Sequence, residues 1–374
     1  MHVVHLSYFY DADIASPEEL LARYSTTTDL CASLRLAGVE RVSVVQRFSQ
    51  TVTLERDGVT YHLIADGKPP NLGWWEDPQE SHELVAQLAP HVVHHHGDVA
   101  PLRFLRPLLP RAVLLWQHHA DAPPVVSRRF LFEHRGFRRL DGVLFSAAEQ
   151  ARPWEKAGFV DVRHVVYELM EGSSDFTPLP VDACRAELGW TGDPILLWVG
   201  RLNDNKDPLA VLRGLAQARP ALRDPHLYMA YGTDDLLERV EAEISALALD
   251  GRVHLLGQVP HQELQRLYSA ADFFVLGSHQ EGSGYALLEA LACGLPPVVT
   301  NIPSFRRATG RGQVGALWKP GSPESFAEAL LAAVLAQTDR GDVRRYFEDN
   351  WSFPALGRSA AAIYAKARKR NGFR

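Results

Sequence analysis

Two carboxylates eight positions apart, Glu281 and Glu289, bracket the stretch of this sequence with the most chemical content: Glu281-Gly282-Ser283-Gly284-Tyr285-Ala286-Leu287-Leu288-Glu289. Glycines permit a tight turn, and the apolar run after Gly284 predicts a helix. A helix that opens at such a turn presents amides and the positive end of its dipole to an anion, commonly a phosphate. Glu289 falls about five residues into that helix, roughly 7 Å along its axis. The two acids flank an anion site without sharing it. That arrangement suits a sugar on one side of a diphosphate and a ribose on the other. Further upstream, Arg201 follows Gly200 and precedes Lys206 by five residues. A guanidinium grips phosphate oxygens bidentately and a lysine adds a point charge, so the pair is suited to a diphosphate leaving group. Fixed cations of this kind remove the need for a metal ion at the phosphates.

These residues need elements to hold them. Residues 272–276 and 297–300 read as buried strands on either side of the glycine turn and helix, a βαβ unit. The second half continues in this style, with strands expected at 195–199, 226–231 and 253–256. The first half alternates likewise: strands at 3–9, 41–46, 91–95, 112–117 and 142–146, helices at 17–37, 78–88 and 128–139, and a hairpin over 51–64 around Asp57-Gly58. Asp77 and Pro78 read as N-cap and first helical position. A Pro-punctuated stretch around Thr177-Pro178-Leu179-Pro180 reads as a linker. The expected organisation is α/β: two doubly wound, Rossmann-like domains at 1–176 and 177–350, then a terminal helix within 351–374 returning to the first. Such folds bind ligands at the carboxyl ends of their strands.

The Glu281…Glu289 string, running on into Ala290-Leu291-Ala292-Cys293-Gly294-Leu295-Pro296, resembles the E-x7-E signature of the retaining group 1 glycosyltransferases of the GT-B fold. Residues 196–202 with Lys206-Asp207-Pro208 resemble that family's strand-Gly-Arg-Leu…Lys segment. The resemblance implies that Glu281 contacts the donor sugar and Glu289 the ribose. Gly282, Ser283, Gly284, Tyr285 and Ala286 would line the donor diphosphate and sugar, and Val259, in the segment 253–260, the base. In the first half, Pro90-His91-Val92-Val93-His94-His95-His96-Gly97 and the strand ending in His118-His119-Ala120-Asp121 resemble family segments, and either His119 or His118 would lie over the sugar. The implied substrate is a nucleoside diphosphate sugar, with no cofactor and no metal.

The chain departs from the family pattern after its first strand, where Ser7-Tyr8-Phe9-Tyr10-Asp11-Ala12-Asp13 replaces the usual glycine-rich turn. An unusual acceptor side follows. A nucleotide-sugar epimerase of the same fold and a catalytically silent nucleotide- or glycan-binding subunit are the alternative readings. Asp11-Ala12-Asp13 reads as a solvated turn rather than a metal-binding pair. The run His94-His95-His96 is not expected to hold a metal, because alternate strand residues point to opposite faces.

The 374 residues suffice for two cores, with 46% apolar and 22% charged residues and a net charge of −6, which argues against nucleic-acid binding. Eight arginines between Arg103 and Arg139 form a basic stretch suited to an anionic acceptor or an anionic membrane surface. Three widely spaced cysteines point to a reducing cytoplasmic setting. No run is apolar enough to span a bilayer.

Overall fold

A computed structural model describes residues 1–120, 122–124 and 128–372. Asp121 lies outside the described residues. The chain divides into two compact units, Met1–Gly172 with Phe353–Arg374, and Ser173–Ser352. Residues 173–176 belong to the second unit for a physical reason. The Ser173 hydroxyl donates to the Trp351 carbonyl, and Phe176 packs on the His261 ring at 4.9 Å.

The first unit is built on eight strands: β1 (His2–Ser7), β2 (Arg41–Arg47), β3 (Val52–Arg56), β4 (Val59–Ile64), β5 (Val92–His96), β6 (Val113–Gln117), β7 (Gly142–Phe145) and β8 (Val165–Glu168). Their order across the sheet is β3-β4-β2-β1-β5-β6-β7-β8. All neighbours are parallel except β3 and β4, which form the hairpin read from Asp57-Gly58. Both turn residues have positive φ, 54° and 72°, the backbone a two-residue hairpin turn requires. Central strands are valine-rich and buried on both faces, as a doubly covered parallel sheet demands. The short edge strand β8 was not among the strands expected from the sequence.

The helical period at 17–37 resolves into two helices, Pro17–Arg23 and Ser25–Leu36, broken at Tyr24. Ser16 caps the first by accepting from the Glu19 amide, with Pro17 at its first position. Asp77 does not cap the next helix, Gln79–Leu88; its carboxylate lies 2.7 Å from His82 Nδ1 instead. The terminal helix Phe353–Asn371 packs along Ser25–Leu36 in the first unit, where Ala360, Tyr364 and Ala367 join Cys31 and Leu34. Gly357 makes that approach possible: a Cβ there would lie 2.5 Å from the Ser33 carbonyl oxygen.

The second unit carries β9 (Ile195–Gly200), β10 (His226–Tyr231), β11 (Val253–Gly257), β12 (Phe273–Leu276), β13 (Pro297–Thr300) and β14 (Ala316–Trp318), all parallel, in the order β11-β10-β9-β12-β13-β14. The three-residue edge strand β14 was not anticipated. Both sheets reverse strand order once, between β1 and β5 and between β9 and β12. Among the described residues no helix is long and apolar enough to cross a membrane.

Candidate functional site

The loops leaving β9 and β12 meet at the second sheet's switch point, where open α/β sheets bind ligands. Gly200 ends β9, and the loop after it carries Arg201 and Lys206 before the helix Pro208–Ala218. Asp207 caps that helix from a left-handed conformation (φ 41°), accepting from the Ala210 amide with Pro208 at the first position. The loop after β12 is stitched to it. Asn205 donates to the Gln280 carbonyl at 3.0 Å and its Oδ1 accepts from the Gln280 amide at 3.1 Å. His279 donates its amide to the Asn205 carbonyl and its ring lies 3.1 Å from Asp207. Gly277 has no room for a side chain, since a Cβ would lie 2.7 Å from the Asp207 carbonyl oxygen.

This stitching brings Lys206 Nζ onto Glu281 Oε1 in an ion pair, both side chains 13% exposed. Arg201, the first residue after β9, is exposed and makes no ion pair among the described residues. Gly284 turns the chain into the helix Tyr285–Ala292 with φ 77°. A Cβ there would lie 2.5 Å from a Phe305 ring carbon, so glycine is required by conformation and by space. Gly282, Ser283 and Gly284 are buried, Ala286 is half-buried and Tyr285 is exposed.

Glu289 sits on the buried side of that helix. Its two oxygens accept from Tyr268 Oη and His261 Nε2, each at 2.8 Å. The hydrogen bond to Glu289 raises the His261 pKa above its ordinary value, against the opposing effect of burial. Val259 is half-buried between β11 and the helix His261–Ala270. Asn205, His279, Tyr268 and His261 were missed in sequence because their contacts span 21 to 75 positions and no local pattern marks them.

In the first unit, His119 and His118 separate. His118 is 3% exposed and packs among Trp116, Phe145 and Trp154. His119 stands at the surface, its Nδ1 2.6 Å from the nearly buried Glu171 carboxylate and its Nε2 3.1 Å from His96 Nδ1. A chain of imidazoles continues inward. His96 Nε2 lies 3.1 Å from His5 Nδ1, and His94, fully buried, bonds Tyr364 Oη at 2.7 Å. Burial lowers the pKa of His5 to about 4 and depresses His94 and His96 strongly, aided by neighbouring imidazoles for the latter two. The alternation argument separates His95, which turns to the other face against Tyr8. It does not keep His94 and His96 apart, and it overlooked His5 on the adjacent strand.

The loop that lacks the glycine-rich turn is closed by Tyr8 Oη on His82 at 2.7 Å, and Asp11 accepts from the Asp13 amide in a local turn. Of the basic stretch, Arg103 bonds the Trp74, Trp75 and Ala100 carbonyls, Arg106 pairs with Asp141 and Arg129 with Asp98. Arg111, Arg135, Arg138 and Arg139 remain exposed.

The family described as glycosyl transferases group 1 matches residues 181–350. A D-inositol 3-phosphate glycosyltransferase of Thermobispora bispora is 33% identical over 52% of this chain and 48% of its own length. One of Geodermatophilus obscurus is 29% identical over 82% and 76%. The match spans about half the length of the first two curated relatives. Among solved structures, Anabaena HepE in complex with UDP superposes with a TM-score of 0.70 over 98% of this chain and 100% of that one, at 17% identity. At that identity the superposition speaks for the fold, which is GT-B. Residues 181–350, within this two-unit fold, belong to the group 1 glycosyltransferase family.

Proposed function

We propose that this chain transfers a sugar from a nucleoside diphosphate sugar to an acceptor, with retention of configuration and without a metal ion at the diphosphate. The observation that carries this reading is the Lys206–Glu281 pair at the β9/β12 switch point, with exposed Arg201 on the same β9 loop as Lys206. Two cations and one carboxylate there match a leaving diphosphate and the hydroxyls of its sugar. Arg201 and Lys206 stabilise charge as it develops on the phosphate, and the dipole of the helix Tyr285–Ala292 adds to them. Glu281 orients the sugar and Glu289 the ribose. With fixed cations in place, no cofactor is called for. His119, held by Glu171 and His96, is the histidine we assign to a sugar hydroxyl; His118 supports it from the core. Displacement on the face the diphosphate leaves, with that phosphate helping to deprotonate the acceptor, needs no covalent nucleophile. In this reading the second unit takes the donor and the first the acceptor.

The test is thermal denaturation with UDP, GDP, ADP, TDP, CDP and their sugar conjugates. UDP comes first because HepE was solved with it. Phosphorylated polyols are the first acceptors to try, because the relative from Thermobispora bispora is a D-inositol 3-phosphate glycosyltransferase. A nucleotide at about 100 times its Kd raises stability by roughly 2.7 kcal/mol. Selective stabilisation by one nucleotide supports the donor site; no shift with any of them refutes it.

A further inference from the structure

The first sheet's switch point holds a histidine cluster to which the glycosyl-transfer reading gives no role beyond the support of His119 by His96. His5 lies on β1, and His94 and His96 on β5, the two strands between which the sheet reverses its order. His5 stands opposite His94 in the parallel register, and the period-two alternation puts His96 on the same face. One nitrogen from each of the three rings lies within 4.8 Å of one from each of the others. Gln117 lies opposite His96 on β6, and its side chain interacts with that of His94.

The cluster is built, yet incompletely bonded. His5 is 1% exposed, His94 0% and Gln117 1%. His5 Nε2, His94 Nε2 and Gln117 Oε1 nevertheless make no hydrogen bond of normal geometry. Buried polar atoms without partners are disfavoured, and of these His94 Nε2 and Gln117 Oε1 call for a partner that can reach both. His5 Nδ1 and His96 Nε2 are 3.1 Å apart, close to the edge of a tetrahedron with metal–nitrogen bonds of about 2.0–2.1 Å, roughly 3.3 Å. Outer contacts are also present. Metal-bound imidazoles usually donate their second N–H to an acceptor. His94 Nδ1 has Tyr364 Oη, and His96 Nδ1 has His119 Nε2, itself tied to Glu171. Half-buried His96 leaves a way in from solvent.

We propose that His5, His94 and His96 bind one divalent late first-row metal ion, of the zinc class, at the β1/β5 switch point, with Gln117 Oε1 or water as the fourth ligand. Imidazole ligands suit zinc, copper, nickel and iron; a closed, mostly buried site of neutral donors favours zinc. The ion replaces the proton shared by His5 and His96 and gives His94 Nε2 a partner. It also fixes the protonated nitrogen of His96 as the one facing His119. All its protein ligands belong to the first unit, and the Co2+ spectrum reads them directly, so its failure is distinguishable from failure of the nucleotide test of the proposed transfer.

Titration of the metal-free chain with Co2+ tests it. The expected result is one equivalent bound with the visible bands of a tetrahedral site, displaced by Zn2+. His94→Ala should abolish the bands, and His226→Ala with His254→Ala, a histidine pair in the second unit, should leave them. Should His94→Ala fail to fold, His96→Cys decides, since a thiolate ligand adds a near-ultraviolet charge-transfer band. Absence of tetrahedral bands in the unaltered chain overturns the proposal. So do bands that survive His94→Ala, or that persist in His96→Cys without a thiolate band.

Discussion

The two sheets reverse strand order in the same manner but furnish their switch points differently. At β9/β12 the groups are on loops beyond the strands: Arg201, Lys206 and Glu281, held by an Asn205–Gln280 double hydrogen bond and by glycines that allow close backbone approach. At β1/β5 they are on the strands themselves, and the imidazoles of His5 and His94 lie buried in the sheet face under the terminal helix. Loop-borne charges stay hydrated and can close on a large anionic ligand. Strand-borne neutral donors are rigid and dry, suited to a small, fixed partner. One topology thus supports two kinds of chemistry, and the difference lies in whether the polar side chains precede or follow the last strand residue.

Glu281→Gln should have the largest effect at the second switch point, lowering turnover about a hundredfold, in the range seen for preorganised electrostatic groups. Nucleotide affinity measured by calorimetry should change little; equal loss of both would assign Glu281 to binding rather than to the reacting sugar. Glu289→Ala should act mainly on affinity, by about 1.5–3 kcal/mol, the range for hydrogen bonds to a charged group. It also leaves the fully buried Tyr268 hydroxyl without its acceptor, so urea denaturation should show a destabilised second unit. An unchanged Kd would remove Glu289 from the ribose.

Gly284→Ala should destabilise by about 1–2 kcal/mol from the left-handed backbone alone, with Phe305 displaced besides. Wild-type denaturation would mean that the turn relaxes and does not depend on glycine. At the first switch point Tyr364→Phe should cost about 1 kcal/mol, the usual worth of one hydrogen bond, by depriving His94 Nδ1 of its partner. Native-state hydrogen exchange should locate the loss in the terminal helix.

The smallest effect is electrostatic. Glu289 raises the His261 pKa above 6.5, so the folded state holds that proton more tightly than the unfolded chain does. The pair's contribution is complete below the unfolded value and fades as pH rises through the folded one. His261 is largely exposed, so the change in stability should be slight. A histidine NMR titration reads it directly: in Glu289→Gln the His261 pKa should fall toward 6.5, and no fall would mean that Glu289 is not its partner.

Much of the second site was legible because its parts are contiguous. Glu281 to Glu289 span nine residues in which the glycine turn, the helix and both acids are local features. Gly284 falls at the N-cap where the turn was read. Arg201 and Lys206 likewise follow a strand whose apolar run is unmistakable. The Lys206–Glu281 contact was not legible, since it joins residues 75 positions apart through Asn205 and His279. Helix 17–37 was read as unbroken because its apolar period runs through Tyr24, where the backbone leaves the helical region at φ −107° and ψ 39°.

By itself the sequence determined the strands other than the short edge strands β8 and β14, the glycine turn and the parity of each histidine along its strand, because these depend on residues within a few positions of one another. The tertiary structure decided which strands are neighbours. Parity places His94 and His96 on one face, but the pairing of β1 with β5, across 89 residues, is what adds His5 to them. Strand order is set by packing and crossover connections over the whole sheet, and no local pattern encodes it.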